Sequence, residues 1–251
     1  MSDETAVTVA PWPKVDFAAF GDIEVTPLSR IQSLTGTFLA RNWALIPHVT
    51  HQDEADVTTL EAVRKSLPAQ ESGIKITALA FQVKACALAL TEFPNFNASL
   101  DVAAGLLIRK KYVHIGVAVE TAAGLLVPVV RDCDKKPVGA IAEEIAVIAA
   151  KARSRGLSVQ EMSGGCFSIS SLGPSGGTGF SPIINAPEVA MLGISRLIER
   201  PARAGGGQIE WRKVVPLSLS YDHRVLNGMD AARFISRLRE LLTQPEALLG
   251  A

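Results

Sequence analysis

The sequence is poor in the residues that redox and metal chemistry depend on. It has three cysteines, Cys86, Cys133 and Cys166, an odd number with no CxxC pair. That favours reduced thiols, as expected of a cytoplasmic, bacterial setting. It has four scattered histidines, none at ligand spacing from a cysteine, so no metal site is expected. The formal net charge is zero, which leaves no basic excess to track a nucleic acid. No run of 18 apolar residues occurs, so no membrane-spanning helix is expected. The opening MSDETAVTVAPWPKVDF has neither a basic start nor an apolar core, so it does not read as a secretory signal.

Apolar side chains, by contrast, make up 48% of the 251 residues, enough for a sizeable core in one large domain or two small ones. A chain this apolar often buries part of its surface against copies of itself. Residues 1–16 read as the end of a linker, polar and then marked by Pro11 and Pro13 around Trp12. After them nothing divides the chain, so 17–251 reads as one domain.

Within that domain helices and strands alternate. Thr26-Pro27 predicts a helix start, with Leu28, Ile31, Leu34, Phe38 and Leu39 at helical spacing. Thr58 and Glu61 have the spacing of a capping box, and Thr77 precedes an apolar helix running to Phe93. Residues 113–119 alternate as a strand does, and the turn at 122–124 leads into a second strand, LLVPVV. Pro137 opens a helix running to about Arg155. The last third carries three strand-like runs, CFSISS, PEVAMLGIS and QIEWRKVVPLSLSYDH, with AGGG at 204–207 as a hairpin loop. A final helix carries Ala231, Phe234, Ile235, Leu238 and Leu242 on one face. Helices on one mixed sheet predict a two-layer α/β sandwich.

Two segments could carry chemistry. The first is Ser220-Tyr-Asp-His-Arg-Val-Leu-Asn-Gly228, at the end of an apolar strand. The second is Phe167-Ser-Ile-Ser-Ser-Leu-Gly173, followed by Asn185-Ala-Pro-Glu188. His223 can take a proton near neutral pH and so is a candidate base, although a lone histidine at a strand end is more often structural. Ser168, Ser170 and Ser171 offer hydroxyls that could donate to an oxyanion, and Ser168 and Ser170 share a face. No GxSxG elbow surrounds them, which disfavours a serine nucleophile. The residues alone thus supply a base and hydroxyls, without a substrate. His48, His51 and His114 read as structural or exposed, and the acidic set Asp53, Glu54 and Asp56 as a solvated strand end.

SYDHRVLNG followed by AARF resembles the DHRV-x-D/N-G signature of the dihydrolipoyl acyltransferase (E2) family of 2-oxo acid dehydrogenase complexes. That family is related to chloramphenicol acetyltransferase. SISSLG…GG…SPIINAPEVAMLGIS, IPHVT at 46–50, FPNFNASL at 93–100 and IRKKYVHIGVAVETAAGLLVPVVRD at 108–132 match in order, from about Val15 to the C-terminus. SISSLG with NAPEVA is closer to the acetyltransferases than to the succinyltransferases, which more often read TITNGG.

The resemblance implies a chloramphenicol acetyltransferase-like fold. It also implies acetyl transfer from S-acetyldihydrolipoyl-lysine to coenzyme A, with no metal. His223 matches the family's catalytic base, Ser170 its oxyanion donor, with Ser171 one residue away, and Asn227 a position often held by aspartate. Arg64, with Lys65 beside it, matches a basic position near the coenzyme A phosphate. Family members form trimers whose active sites lie between subunits, packed into 24-copy cubic or 60-copy cores. This sequence leans to 24, and its apolar end (Pro245, Leu248, Leu249) suits docking between trimers. The lipoyl domain, and the E1 and E3 components held through domains not found in this sequence, are the implied partners, with the lipoyl group supplied in trans. Two other readings stand beside this one: a structural core protein without activity, and a free-standing acetyltransferase of the chloramphenicol type.

Overall fold

The computed structural model describes residues 11–70 and 72–250. Residues 1–10 of the expected linker lie outside them; 11–29 are exposed apart from Ser29 and hold only one short 3-10 turn, Phe17–Ala19. The body begins with helix α1 (Arg30–Leu45), and the expected start at Pro27 is displaced by three residues. The reason is a reciprocal cap: Ser29 Oγ accepts from the Gln32 amide at 3.1 Å, and Gln32 Oε1 accepts from the Ser29 amide at 2.8 Å. That pair satisfies two helix-end donors, which Pro27 cannot do.

Strand β1 (His48–Asp56), α2 (Thr58–Ser66) and α3 (Ala78–Glu92) follow, then the hairpin β2 (Ala98–Asp101) and β3 (Leu106–Arg109). The Thr58–Glu61 capping box does not form. Thr58 Oγ1 instead accepts from the Lys213 amide at 2.9 Å, and Glu61 turns to Arg64. The strand expected over 113–119 is broken at Ala118 into β4 (Ile115–Val117) and β5 (Val119–Thr121). Then come β6 (Gly124–Leu126), β7 (Val129–Val130), α4 (Val138–Arg155), β8 (Phe167–Ser171), β9 (Ala190–Ile194), β10 (Ile198–Arg203), β11 (Ile209–Asp222), α5 (Gly228–Thr243) and α6 (Glu246–Leu249).

The central sheet runs β1-β11-β9-β8-β4-β7, with β10 beside the start of β11. β8 pairs in parallel with β4 and β9, and the other pairings are antiparallel. The mixed sheet expected from the sequence is therefore present. Pro216 sits inside the 14-residue β11 without a broken ladder. Its carbonyl accepts from Ser195 at 3.1 Å, so its missing N–H faces the β9–β10 junction, where no strand partner stands.

The sheet's two faces differ. Ile169, Leu192, Leu217 and Leu219 face the helices and join Phe81 and Phe234 in the main core. Phe167 and Phe234 pack with ring centroids 5.9 Å apart. The opposite face carries Thr50, Ser220 and Ser168 in one row, and Gln52, Ser218, Gly193 and Ser170 in the next. Segment 172–189 covers it: Phe180 lies where a side chain at Gly193 would stand, at 2.7 Å, so only glycine fits there. At the C-terminus Leu248 is fully buried in the chain's own core, leaving Leu249 as the exposed apolar group. The expected three-residue docking patch is reduced accordingly.

Candidate functional site

His223 stands one residue beyond β11, exposed, in a turn held from several sides. Its amide donates to the Pro47 carbonyl at 3.1 Å, and the Asp222 amide to the Val189 carbonyl at 2.8 Å. The amides of Val225 and Leu226 both donate to the Asp222 carbonyl at 3.0 Å. Asp222 and Arg224, the two neighbours of His223, grip each other. Arg224 Nη2 donates to Asp222 Oδ2 at 2.7 Å and Nε to Oδ1 at 2.9 Å. His223 is thus the apex of a loop whose two sides are bonded together. Its ring lies 5.7 Å from that of Tyr221.

Asn227 closes this loop by capping α5. Its Oδ1 accepts from the amides of Met229 and Asp230 at 2.9 and 3.0 Å, and Asp230 accepts in return from the Asn227 amide at 3.1 Å. Asparagine is among the best N-cap residues, so a neutral side chain here orders the helix that follows the histidine.

Ser170 lies on the polar face of β8, half-buried, and Ser171 on the helix-facing side. Neither meets His223 within the chain. Ser170 pairs with Gly193 and Gly193 with Ser218, two strand steps across and five residues back from His223. At the usual strand spacing and rise that is roughly 19 Å.

Ser168 is fully buried and donates from Oγ to Glu188 Oε1 at 2.9 Å. Asn185 Nδ2 reaches the same oxygen at 3.3 Å. Burial pushes the Glu188 carboxyl up to about 7, against these hydrogen bonds and the charge of Lys110. Sequence reading singled out the segment that holds Glu188 but gave the residue no role, since its partners are 3 and 20 residues away in sequence.

A cleft of about 530 Å³ opens between the sheet's helix face and α2, α3 and α4. Leu60, Leu79, Val117 and Ile145 line it, with Ser171 and Arg153 also on its wall. A smaller cleft of about 190 Å³ is lined by Arg64, Lys65 and Lys75. Arg64 already makes a two-pronged pair with Glu61, Nε to Oε1 and Nη2 to Oε2, both at 2.8 Å, and that contact holds its guanidinium above the ordinary range. Lys75 is the residue there that sequence reading did not single out.

His48 and His114 are engaged by the chain's own backbone. His48 Nε2 accepts from the Ile184 amide at 3.0 Å, and its Nδ1 donates to the Ile46 carbonyl at 2.7 Å. His114 Nδ1 accepts from the Asp132 amide at 3.1 Å. Asp53, Glu54 and Asp56 pair with Arg239, Arg200 and Arg212, so the strand end is ion-paired rather than simply solvated.

Residues 20–250 match the family described as 2-oxoacid dehydrogenases acyltransferase (catalytic domain). The chain belongs to that family. One relative, the dihydrolipoyllysine-residue acetyltransferase component of the pyruvate dehydrogenase complex of Cupriavidus necator, is 52% identical over 241 residues, 95% of this chain. The chain spans 43% of that relative's length. Two solved structures each superpose with a TM-score of 0.92 at 50% identity, over 96% of this chain and 100% of theirs. One is the cubic core of a pyruvate dehydrogenase multienzyme complex. The other is Azotobacter vinelandii dihydrolipoamide acetyltransferase, studied for the role of a serine, a histidine and an asparagine in its catalytic mechanism. There the serine stands 52 positions before the histidine and the asparagine four after it. In this acyltransferase domain Asn227 is likewise four after His223, while Ser171 and Ser170 stand 52 and 53 before it, with the β10–β11 turn in between. Chloramphenicol acetyltransferase shares the fold, with a TM-score of 0.51 at 14% identity.

Proposed function

We propose that this chain is the catalytic core of a dihydrolipoamide acetyltransferase, moving acetyl between dihydrolipoyl-lysine and coenzyme A. The observation that carries the reading is the mount of His223. An exposed imidazole stands at the apex of a loop fixed by the Asp222–Arg224 pair and the Asn227 cap, in a domain of the acyltransferase family.

His223 takes the proton of the attacking coenzyme A thiol. Free thiols near pKa ~8.5 are only a few per cent ionised at neutral pH, so an adjacent base raises the reactive fraction. The thiolate adds to the thioester carbonyl, and Ser170 donates to the oxyanion that forms. Collapse breaks the bond to the dihydrolipoyl sulfur, which leaves with the proton held by His223. The apolar 530 Å³ cleft suits the pantetheine arm, and Arg64, Lys65 and Lys75 suit its phosphates.

The span of roughly 19 Å between Ser170 and His223 within one chain means that a working site takes its histidine from one copy and its serine from a second. We therefore assign an oligomer built on trimers as the active form, with a cubic 24-copy core favoured by the likeness to the solved cubic core. Lipoyl domains, and the E1 and E3 components, are its partners in this reading.

The test is acetyl transfer from acetyl-CoA to free dihydrolipoamide by this chain, beside His223→Ala. Turnover that vanishes in the variant is expected. An assembled wild type without turnover would favour a structural core protein, and acetylation of a small alcohol without dihydrolipoamide would favour the chloramphenicol-type reading.

A further inference from the structure

The segment Asn185-Ala-Pro-Glu188 has no part in the mechanism above, yet the fold invests several residues in holding its glutamate. Glu188 is 5% exposed and stands among neutral donors, with Ser168 at 2.9 Å and Asn185 at 3.3 Å from the same carboxylate oxygen. Two glycines make the room. A Cβ at Gly116 would stand 2.6 Å from the Ser168 hydroxyl, and one at Gly165 would stand 3.0 Å from Glu188 Oε1. The second oxygen, Oε2, is buried with no hydrogen-bond partner. Lys110 and Cys166 couple to the carboxylate, and Arg41, Asp222 and Arg224 line the same cleft as Glu188. Burial pushes the Cys166 thiol up, which keeps it neutral, and pulls the Lys110 ammonium down.

This cluster connects directly to the histidine's mount. The residue after Glu188 is Val189, whose carbonyl accepts the amide of Asp222 at 2.8 Å. Asp222 in turn is the residue before His223 and the anchor of its loop. Ser168 reaches the same place through the sheet, since it pairs with Met191 and Met191 with Ser220.

We propose that Glu188 is a positioning residue for His223, acting through the Val189–Asp222 hydrogen bond as a brace whose geometry depends on whether its carboxyl carries a proton. As a carboxylate it accepts from Ser168 and Asn185 together. A proton on the partnerless Oε2 removes the charge, and Oε1 then holds the same two donors more weakly. The carboxyl changes state near neutral pH, inside the range over which the transfer is assayed. This inference rests on the assignment of His223 as the base.

The experiment is steady-state acetyl transfer from acetyl-CoA to dihydrolipoamide by the full chain. It runs from about pH 6 to about pH 9 for wild type, Glu188→Gln, Glu188→Ala and His223→Ala. Glu188→Gln keeps the shape and one acceptor but cannot titrate. Its kcat should stay within about threefold of wild type at neutral pH, and the acid limb of its kcat profile should flatten to the slope of a single proton. Glu188→Ala should lower kcat about tenfold or more while KM changes by less than about twofold, the mark of an effect on the reacting group rather than on substrate binding. A Glu188→Gln profile superimposable on wild type beside an inactive His223→Ala overturns the brace and leaves the base intact, even if Glu188→Ala fails to fold. An active His223→Ala, or a wild type without turnover, overturns the underlying function and the brace with it.

Discussion

Asp222 and Arg224 bond to each other across the histidine between them, and the pair is lopsided: the Asp222 side chain is 3% exposed and that of Arg224 35%. Removing either partner loosens the loop, but the consequences differ. Arg224→Ala strands a buried carboxylate, which typically costs about 3 kcal/mol or more. Asp222→Ala leaves a guanidinium that already reaches water, and should cost about 1–2 kcal/mol. Denaturant unfolding should therefore rank Arg224→Ala as the less stable variant, and both should lose kcat. Equal stabilities would show that the pair does not anchor the loop.

Asn227 caps the helix that follows the histidine. Asn227→Ala removes the acceptor for two amides and should lower stability by about 1 kcal/mol, with a loss of kcat. Asn227→Asp retains an acceptor and adds negative charge at the helix N-terminus, so thermal unfolding should show stability at or above wild type. If Asn227→Ala melts with wild type, the cap does not hold the loop.

Arg64 and Lys75 border the same small cleft, and the pairing of Arg64 with Glu61 leaves Lys65 and Lys75 to complete the charge there. Arg64→Ala and Lys75→Ala should each raise the KM for coenzyme A several-fold with kcat little changed, because binding to a remote phosphate acts alike on ground and transition states. The effect should shrink as salt rises. An unchanged KM in both variants would place the phosphates elsewhere.

Glu188 also has a signature in stability alone. Its carboxyl is held at about 7 in the folded chain against 4.5 for the free group, so the folded state binds the proton more tightly than the unfolded one. That contribution is fully present below about pH 4.5 and is lost as pH rises through about 7. Glu188→Gln removes the dependence. The melting temperature of the variant minus that of wild type should rise between about pH 5 and about pH 8; a flat difference would show that the carboxyl does not titrate there.

Much of this was legible in sequence. The strands bearing Ile169, Leu192 and Leu217 and the helix bearing Phe234 and Leu238 follow from local apolar spacing, and local spacing is what a linear reading sees. Two of the misjudged ends involve side chains engaged elsewhere, and the third a local cap. Thr58 bonds to Lys213, 155 residues away, instead of capping its own helix. Leu248 folds back into the core instead of waiting at the surface. Helix α1 starts late because Ser29 and Gln32 satisfy each other. His223, Asn227 and Ser170 were singled out through a motif. Their separation on the sheet, and the cluster around Glu188, depend on strand order, which the motif does not encode. Lys75 escaped notice because an isolated lysine before a helix carries no pattern of its own.

The most direct test of the account is complementation between two inactive variants. Ser170→Ala and His223→Ala, each expected to lose most of kcat, are co-expressed so that subunits mix. If the histidine and the serine come from different copies, random mixing at equal ratio restores about one site in four, and activity should return to roughly a quarter of wild type. Recovery with Ser171→Ala but not with Ser170→Ala would not fit Ser170 as the donor. Absence of any recovery from well-mixed, assembled protein would contradict the account, because it would mean that both groups act within a single chain.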